Sequence, residues 1–322
     1  MEEELFDAEE VRVAPVSEAL HGARLDAAAA VLFAEYSRSR LSEWIKAGRL
    51  LLNGAQAKPR DKVVLDDQLQ LSPEREDRVE WLPEALPLDI LFEDEHVLVL
   101  NKPAGLVVHP AAGHASGTLV NRLLAYAPEM AALPRGGIVH RLDKDTSGIM
   151  LAARSPLAHK SLVAQLADRS VSRVYSAICR GTFSGGGTID APIGRHPTSR
   201  IKMAVVPDGK PALTHYRIAQ RYGAHTHLSV SLESGRTHQI RVHLAWRKHP
   251  LVGDPLYGGR ATRPAGASDA LLQALEGFPR QALHARELAF RHPDSGARVQ
   301  LTTPIPDDMS ALLACLEAED RA

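Results

Sequence analysis

The sequence predicts an α+β fold: a large C-terminal domain built on a mixed sheet, preceded by a small αα-β module. Three observations lead there. Strand-like stretches fall at His96–Asn101, Ile149–Ala153, Val174–Cys179, His215–Ala219 and Leu228–Leu232, several with period-two alternation. Helical stretches near Thr118–Tyr126, Leu157–Arg169, Thr237–Trp246 and Met309–Ala318 interrupt them irregularly, with long loops, unlike a βαβ repeat. Finally, 322 residues exceed the roughly 250 at which one hydrophobic core stops growing, so a second unit is expected.

Taken in order, residues 1–16 are acidic and read as a flexible lead. Residues 17–75 form the small module. Leu25, Ala28, Ala29, Leu32 and Phe33 make a helical stripe. A second helix is expected after Ser37 or Ser39, both good N-caps, burying Leu41, Trp44 and Ile45. Gly48 suits the left-handed position that ends it. Leu50-Leu51-Leu52 then reads as a strand entering an Asn53-Gly54 hairpin turn. Residues 76–87 are assigned as the linker, because Ser72–Asp77 is polar and charged and is bounded by Pro73 and Pro83. The large domain runs over 88–322. Within it, Arg195–Pro211 carries Arg195, Arg200, Lys202 and three prolines, and is expected to be an exposed hairpin or loop.

Composition narrows the class. A chain 44% hydrophobic and 24% charged, with no apolar run of about eighteen residues, is expected to be a soluble protein without a membrane span. The start, Met1-Glu2-Glu3-Glu4, is acidic where a secretory or transit signal is basic, so a cytoplasmic location is expected. Cys179 and Cys315 are far apart and suggest neither a disulfide framework nor a thiolate metal site. The net charge of −1 conceals segregation: Arg24 to Lys62 holds eight Lys/Arg against four Asp/Glu, and Val63 to Leu100 holds two against eleven. A local basic face of this kind, rather than the total charge, attracts nucleic acid. Arg38, Arg40, Lys46 and Arg49 cluster around one short helix and are the candidate phosphate contacts.

The segment His140-Arg141-Leu142-Asp143-Lys144-Asp145-Thr146-Ser147-Gly148 is the most informative. It lies between Ile138-Val139 and the apolar strand that starts at Ile149. Charges in such a place are paired, or they face a cleft. From the residues alone, a charged turn capped by Asp145, Thr146 and Gly148 remains an alternative. A phosphoaspartyl hydrolase does not fit, because His140-Arg141 breaks the apolar strand before Asp143 and Ser147 stands where a threonine is required. His238, His243 and His249 are spaced wrongly for one helical face and are read as hydrogen-bonding residues rather than metal ligands.

The segment resembles motif II of the RluA-type pseudouridine synthases, and the resemblance extends through most of the chain. Asn101–Pro110 resembles the family's preceding strand and turn, and Arg173–Ala177 its tyrosine strand. Glu233–His243 resembles its arginine motif, and His249–Gly259 and Gln281–Ala285 follow in the expected order. Residues 17–75 resemble an S4 RNA-binding module through Arg24-Leu25-Asp26, Ser37–Arg40 and Asn53-Gly54. The combination, with Leu213–Arg217 and Gly266–Ser268, is similar to the family's large-subunit branch.

The resemblance implies a pseudouridine synthase fold with a mixed, largely antiparallel central sheet. It implies Asp143 as the catalytic carboxylate, either a nucleophile or a base on a ribose proton, and Arg241 as its cationic partner. Tyr175 would pack on the uracil and assist proton transfer. Arg141 would fill the space left by a flipped uridine, with His140, Arg236 and His238 as further RNA contacts. An aspartate that works ionised in a dry pocket does need a cation beside it. Isomerisation changes neither oxidation state nor composition, so no cofactor or metal is expected. The implied substrate is 23S rRNA or its large-subunit precursor, at several uridines of the helix 69 stem-loop, and the enzyme is expected to be monomeric. Transfer RNA, or a non-catalytic assembly role, remains open at this stage.

Overall fold

The computed structural model describes residues 11–34, 36, 38–73, 81–110, 116–199, 201–259 and 263–321. Residues 1–10, Ser37, residues 74–80 and Arg200 figured in the expected lead, helix cap, linker and basic loop, and lie outside them. The chain divides into two units, Met1–Glu80 and Trp81–Ala322.

In the first unit, β1 (Arg12–Pro15), β2 (Leu50–Leu52) and β3 (Gln68–Leu71) form an antiparallel sheet in the order β1-β3-β2. Helices α1 (Leu25–Leu32) and α2 (Arg38–Ala47) bury Leu25, Ala28, Ala29, Leu41, Trp44 and Ile45 with Leu50, Leu69 and Leu71. Two expectations are corrected and one is narrowed. Residues 12–15 are not a loose lead, because Val13 and Ala14 pair in register with Gln70 and Leu69. Of the two starts expected for the second helix the earlier is found, since α2 begins at Arg38 and Ser39 lies within it. The Asn53-Gly54 turn does form, with φ of 51° and 76°, but the ladder partner of β2 is the distant β3. Gly48 has φ +76°, and Arg49 N–H beyond it reaches back to Trp44 O at 2.9 Å, satisfying an end carbonyl of α2.

The second unit starts at Trp81, so residues 81–87 are attached rather than a free linker. Glu84 N–H donates to Asn121 O and Asn121 Nδ2 donates to Leu82 O, both at 2.9 Å. Its strands are β4 (Ile90–Glu93), β5 (Val97–Lys102), β6 (Ser147–Ala153), β7 (Ser172–Arg180), β8 (Gly187–Asp190), β9 (Ile193–Arg195), β10 (Met203–Val205), β11 (Leu213–Tyr222), β12 (His225–Leu232), β13 (Leu283–Arg291) and β14 (Arg298–Thr302). Its helices are α3 (Leu119–Tyr126), α4 (Pro156–Ala167), α5 (Gln239–Trp246), α6 (Asp269–Glu276) and α7 (Asp307–Arg321). Among the described residues the main sheet is nine-stranded, in the order β4-β5-β6-β13-β7-β12-β11-β8, with β14 on β13. Its pairs are antiparallel except β6 with β13, which makes it mixed but largely antiparallel. β9 and β10 form a separate hairpin in the Arg195–Pro211 region.

All seven residues of β6 are buried, which explains the unbroken Ile-Met-Leu-Ala-Ala run: a central strand covered on both faces needs no alternation. Gly148 lies at its start with φ +116°, where a Cβ would come within 2.2 Å of Ala285 O. Only glycine allows β6 and β13 to approach so closely there. The charged segment before β6 is thereby held at the edge of the core.

Candidate active site

The Asp143–Ser147 loop is fixed from several sides before any substrate arrives. Lys102, fully buried at the end of β5, donates from Nζ to the carbonyls of Pro103 (2.8 Å), Leu106 (3.0 Å) and Lys144 (2.8 Å). Those contacts use all three ammonium protons. Burial pushes the Lys102 pKa down to about 7, against the pull of Asp145 and Asp143. Gly105 N–H also donates to Lys144 O at 3.0 Å. On the other side, Arg280 Nη1 donates to Asp145 O (3.2 Å) and Gln281 Nε2 to Thr146 Oγ1 (3.1 Å). Ser147 Oγ lies 2.9 Å from His284 Nδ1. Asp308, at the start of α7, anchors Arg280 through both its Nε and Nη2.

Facing Asp143 is α5. Its first residue is Gln239, not Thr237 as expected, with His238 as the N-cap in a left-handed conformation (φ 56°, ψ 22°). A histidine rarely adopts that backbone unless its surroundings hold it there, and here Tyr257 Oη does so, 2.8 Å from His238 Nδ1. Gln239 Nε2 ties the helix to β11 by donating to Leu213 O and Thr214 Oγ1, each at 3.0 Å. Arg241 is consequently in the first turn, with Ile240 and Leu244 buried beside it.

Arg241 bridges two carboxylates. Nε and Nη2 donate to Asp254 Oδ2 (2.8 Å) and Oδ1 (2.9 Å), and Nη1 donates to Asp143 Oδ2 (3.0 Å). Its guanidinium carbon lies 5.1 Å from the centre of the Tyr257 ring. Burial disfavours the charge on Arg241, but Asp254, and then Asp143, outweigh that and raise its pKa. Burial likewise opposes ionisation of Asp254. Arg241 and the N–H groups of Tyr257 and Leu256 overcome it, and the pKa is lowered. A planar fork held at two corners by one acid presents its third corner to the other in a fixed direction. Asp143 Oδ1 lies 3.8 Å from His238 Nε2. Burial pushes the His238 pKa down despite Asp143, leaving the ring neutral at physiological pH.

Asp143, Arg241, His238, Tyr175, Arg141, His140 and Arg236 all line one cavity of about 620 Å³. Tyr175 is buried on β7, and burial raises its pKa, so the phenol is neutral. Arg141 is exposed at the cavity wall. His140 lines the cavity, but its Nε2 accepts from Leu151 N–H at 3.0 Å and is not available to a ligand. Burial and Arg173 push the His140 pKa down to about 3. Arg236 is exposed and donates from Nε to Pro211 O at 3.2 Å. The three histidines weighed as ligands do not converge: His243 bonds Thr214 Oγ1 and Ala191 O, and His249 bonds Arg180 O. Arg38, Arg40, Lys46 and Arg49 belong to the first unit. There Arg38 bonds Asp26 from Nη2 at 2.9 Å, and Arg40 lies over the Trp44 ring at 5.4 Å.

Over 311 residues, 97% of this chain and 97% of the relative, the sequence is 56% identical to the ribosomal large subunit pseudouridine synthase D of Pseudomonas aeruginosa. The chain belongs to the RNA pseudouridine synthases. It is therefore an isomerase that makes pseudouridine. The family model described as RNA pseudouridylate synthase matches residues 96–246 of this synthase, from β5 to the end of α5. A relative of the same description from Xanthomonas campestris pv. campestris is 53% identical over 97% of this chain and 94% of its own. Among solved structures, human RNA pseudouridylate synthase domain containing 4 matches with a TM-score of 0.56 and 25% identity. That match covers 71% of the synthase and 93% of the human chain. Human RNA pseudouridylate synthase domain containing 1 gives 0.54 and 26%, covering 72% and 89%.

Three residues of the synthase's site carried no assigned role in the sequence reading: Asp254, Lys102 and Arg280. Each lies within a stretch that was singled out or next to one. The available signal was chemical, since a lone charged residue inside Gly253-Asp254-Pro255, or following Asn101, needs a buried partner if it is not exposed. Which partner it has depends on the folded chain.

Proposed function

We propose that this synthase isomerises uridines of large-subunit ribosomal RNA, with Asp143 as the carboxylate that acts at the ribose of a flipped-out nucleotide. The reading rests on the Asp143–Arg241–Asp254 array, which opens onto a cavity in a chain 56% identical to a ribosomal large subunit synthase. The reaction breaks the N1–C1′ bond and forms C5–C1′. N1 ends with a proton and C5 loses one, so composition and oxidation state are unchanged. What the protein must supply is a carboxylate positioned at the sugar, a surface to turn the freed uracil against, and exclusion of water.

Arg241 Nη1 holds Asp143 Oδ2, and Oδ1 is the oxygen directed to the substrate. Tyr175, as a neutral phenol, packs against the uracil while it rotates. Arg141 fills the gap the nucleotide leaves in the RNA, and Arg236 meets the backbone. Extrusion costs a few kcal/mol and least where the base is unpaired, which favours a loop. The N-terminal unit acts as an S4-like module that grips phosphates through Lys46, Arg38, Arg40 and Arg49.

Mapping pseudouridines in RNA from cells lacking the gene tests this. The expected result is joint loss of several closely spaced pseudouridines in the helix 69 stem-loop of 23S rRNA. Loss confined to transfer RNA or another rRNA region would overturn the substrate while leaving the activity in place.

A further inference from the structure

The cavity of about 620 Å³ is lined by more residues than the target uridine engages. Asp143, Tyr175, His238 and Arg241 account for one part of its wall. A second group, Trp81, His109 and Arg135, lines the same cavity and has no part in the chemistry above. These three come from the segment before β4, the turn after β5 and the 3₁₀ turn Pro134–Gly137, and they are packed together. The Trp81 and His109 rings meet edge to face with centroids 6.0 Å apart. A Cβ at Gly136 would lie 3.7 Å from Trp81 Cζ3, in ordinary van der Waals contact. Arg135 has φ +55° and an exposed side chain.

His109 supplies the feature that points to a ligand. Its Nε2 is buried and has no hydrogen-bond partner among the described residues. Burial, and then the cations Arg135 and Arg141, push its pKa down to about 4, so the ring is neutral at physiological pH. A neutral imidazole offers Nε2 as a donor or as an acceptor, according to its tautomer. An aromatic ring, a buried ring nitrogen without a partner and a cation at the rim together match a nucleotide: a base plane, its polar edge and a phosphate. Arg141 lines the same cavity.

We infer that Trp81, His109 and Arg135 form a second nucleotide subsite, which takes a base neighbouring the target uridine in the same RNA strand. The base stacks on Trp81, its polar edge meets the His109 ring, and its phosphate meets Arg135. The inference rests on the reading that the substrate is an unpaired RNA loop. It adds that register is set by extruding two nucleotides.

The test uses the full-length chain and a stem-loop RNA with 2-aminopurine placed singly at each position within three nucleotides of the target. In Asp143→Asn protein, binding should quench the probe at one position, and Trp81→Ala in that background should remove the quenching. In the active enzyme, an abasic site at that position and Trp81→Ala should each lower kcat/KM by about tenfold, the scale of one lost base–aromatic stack. Together they should cost no more than either alone. Trp81→Phe, which keeps an aromatic face, should stay within about threefold of the parent, separating stacking from folding. Quenching at no position, or penalties that multiply, would overturn the subsite. If the parent enzyme made no pseudouridine in the stem-loop but did so in another RNA, the substrate reading would fail, and the fluorescence experiment would still decide the subsite.

Discussion

Replacing Asp254 with asparagine isolates the part of the site that holds the cation rather than the part that meets RNA. Asp254 Oδ1 accepts from Arg241 Nη2 (2.9 Å), Leu256 N–H (2.9 Å) and Tyr257 N–H (3.0 Å), and Oδ2 accepts from Arg241 Nε (2.8 Å). An asparagine whose carbonyl takes the Oδ1 position keeps three of these bonds. Its amide then faces Arg241 Nε–H, donor against donor. Breaking a buried ion pair costs about 3–5 kcal/mol, and the retained bonds and Asp143 favour the lower end. About 3 kcal/mol lowers Tm by roughly 6–12 °C in a domain of this size. For catalysis, a guanidinium displaced by about 1 Å no longer holds Asp143 in place, which costs about 10²-fold. KM should stay within about threefold, because the Asp254 side chain is 0% exposed and cannot touch RNA. Tritium release from 5-tritiated uridine in a stem-loop RNA measures kcat directly, since C5 gives up its hydrogen when it bonds to C1′. A variant that loses stability but keeps kcat within twofold would refute the idea that Asp254 positions Arg241.

Three further outcomes follow from the same geometry. Arg241→Lys should lower kcat by about 10²-fold or more, because an ammonium cannot hold Asp254 at two points and Asp143 at a third, and an active lysine variant would reject the bridging role. His284 has its pKa pushed down to about 4 from 6.5, mainly by burial, and His140 to about 3. Unfolded imidazoles take protons below pH 6.5 that the folded chain refuses, so stability is full above pH 6.5 and falls toward pH 4, by at most about 3 kcal/mol for His284. Urea midpoints at pH 7 and pH 5 check it, and equal midpoints would contradict it. Lys46→Ala combined with Arg49→Ala should flatten the log–log salt dependence of RNA binding by up to about 1.8, at 0.7–0.9 per lost phosphate contact, and leave kcat within twofold. An unchanged slope would remove these residues from the interface.

The centre of the site was legible in the sequence because its residues fall in contiguous motifs that a family resemblance can match. From its residues alone His140–Gly148 could also be a charged turn, and it was the family resemblance that singled out Asp143 there and tied Arg241 to it. The strands with clean alternation or continuous apolar runs were readable from their own pattern. β13 was not, although it is central. His284, Arg286, Glu287 and Arg291 break its pattern, and the fold accommodates His284 only by pairing it with Ser147 and Thr303 across 137 and 19 residues. β1 was hidden in an acidic stretch because its partner lies more than fifty residues on, at Gln68–Leu71. The linker boundary moved for a related reason: Leu82 and Glu84 bond to Asn121 in α3, a contact no local pattern announces. Asp254 and Lys102 share that character, since their importance lies in what they hold.

The central claim is that Asp143 performs the chemistry and is not needed to bind RNA. Asp143→Asn keeps the side chain's shape and its acceptor for Arg241 Nη1, while removing the carboxylate. RNA affinity and product formation should be measured on the same preparation, with the stem-loop at fixed salt. The account predicts binding within a few-fold of the parent and no pseudouridine above background after prolonged incubation. Multiple turnovers by the asparagine variant would contradict it.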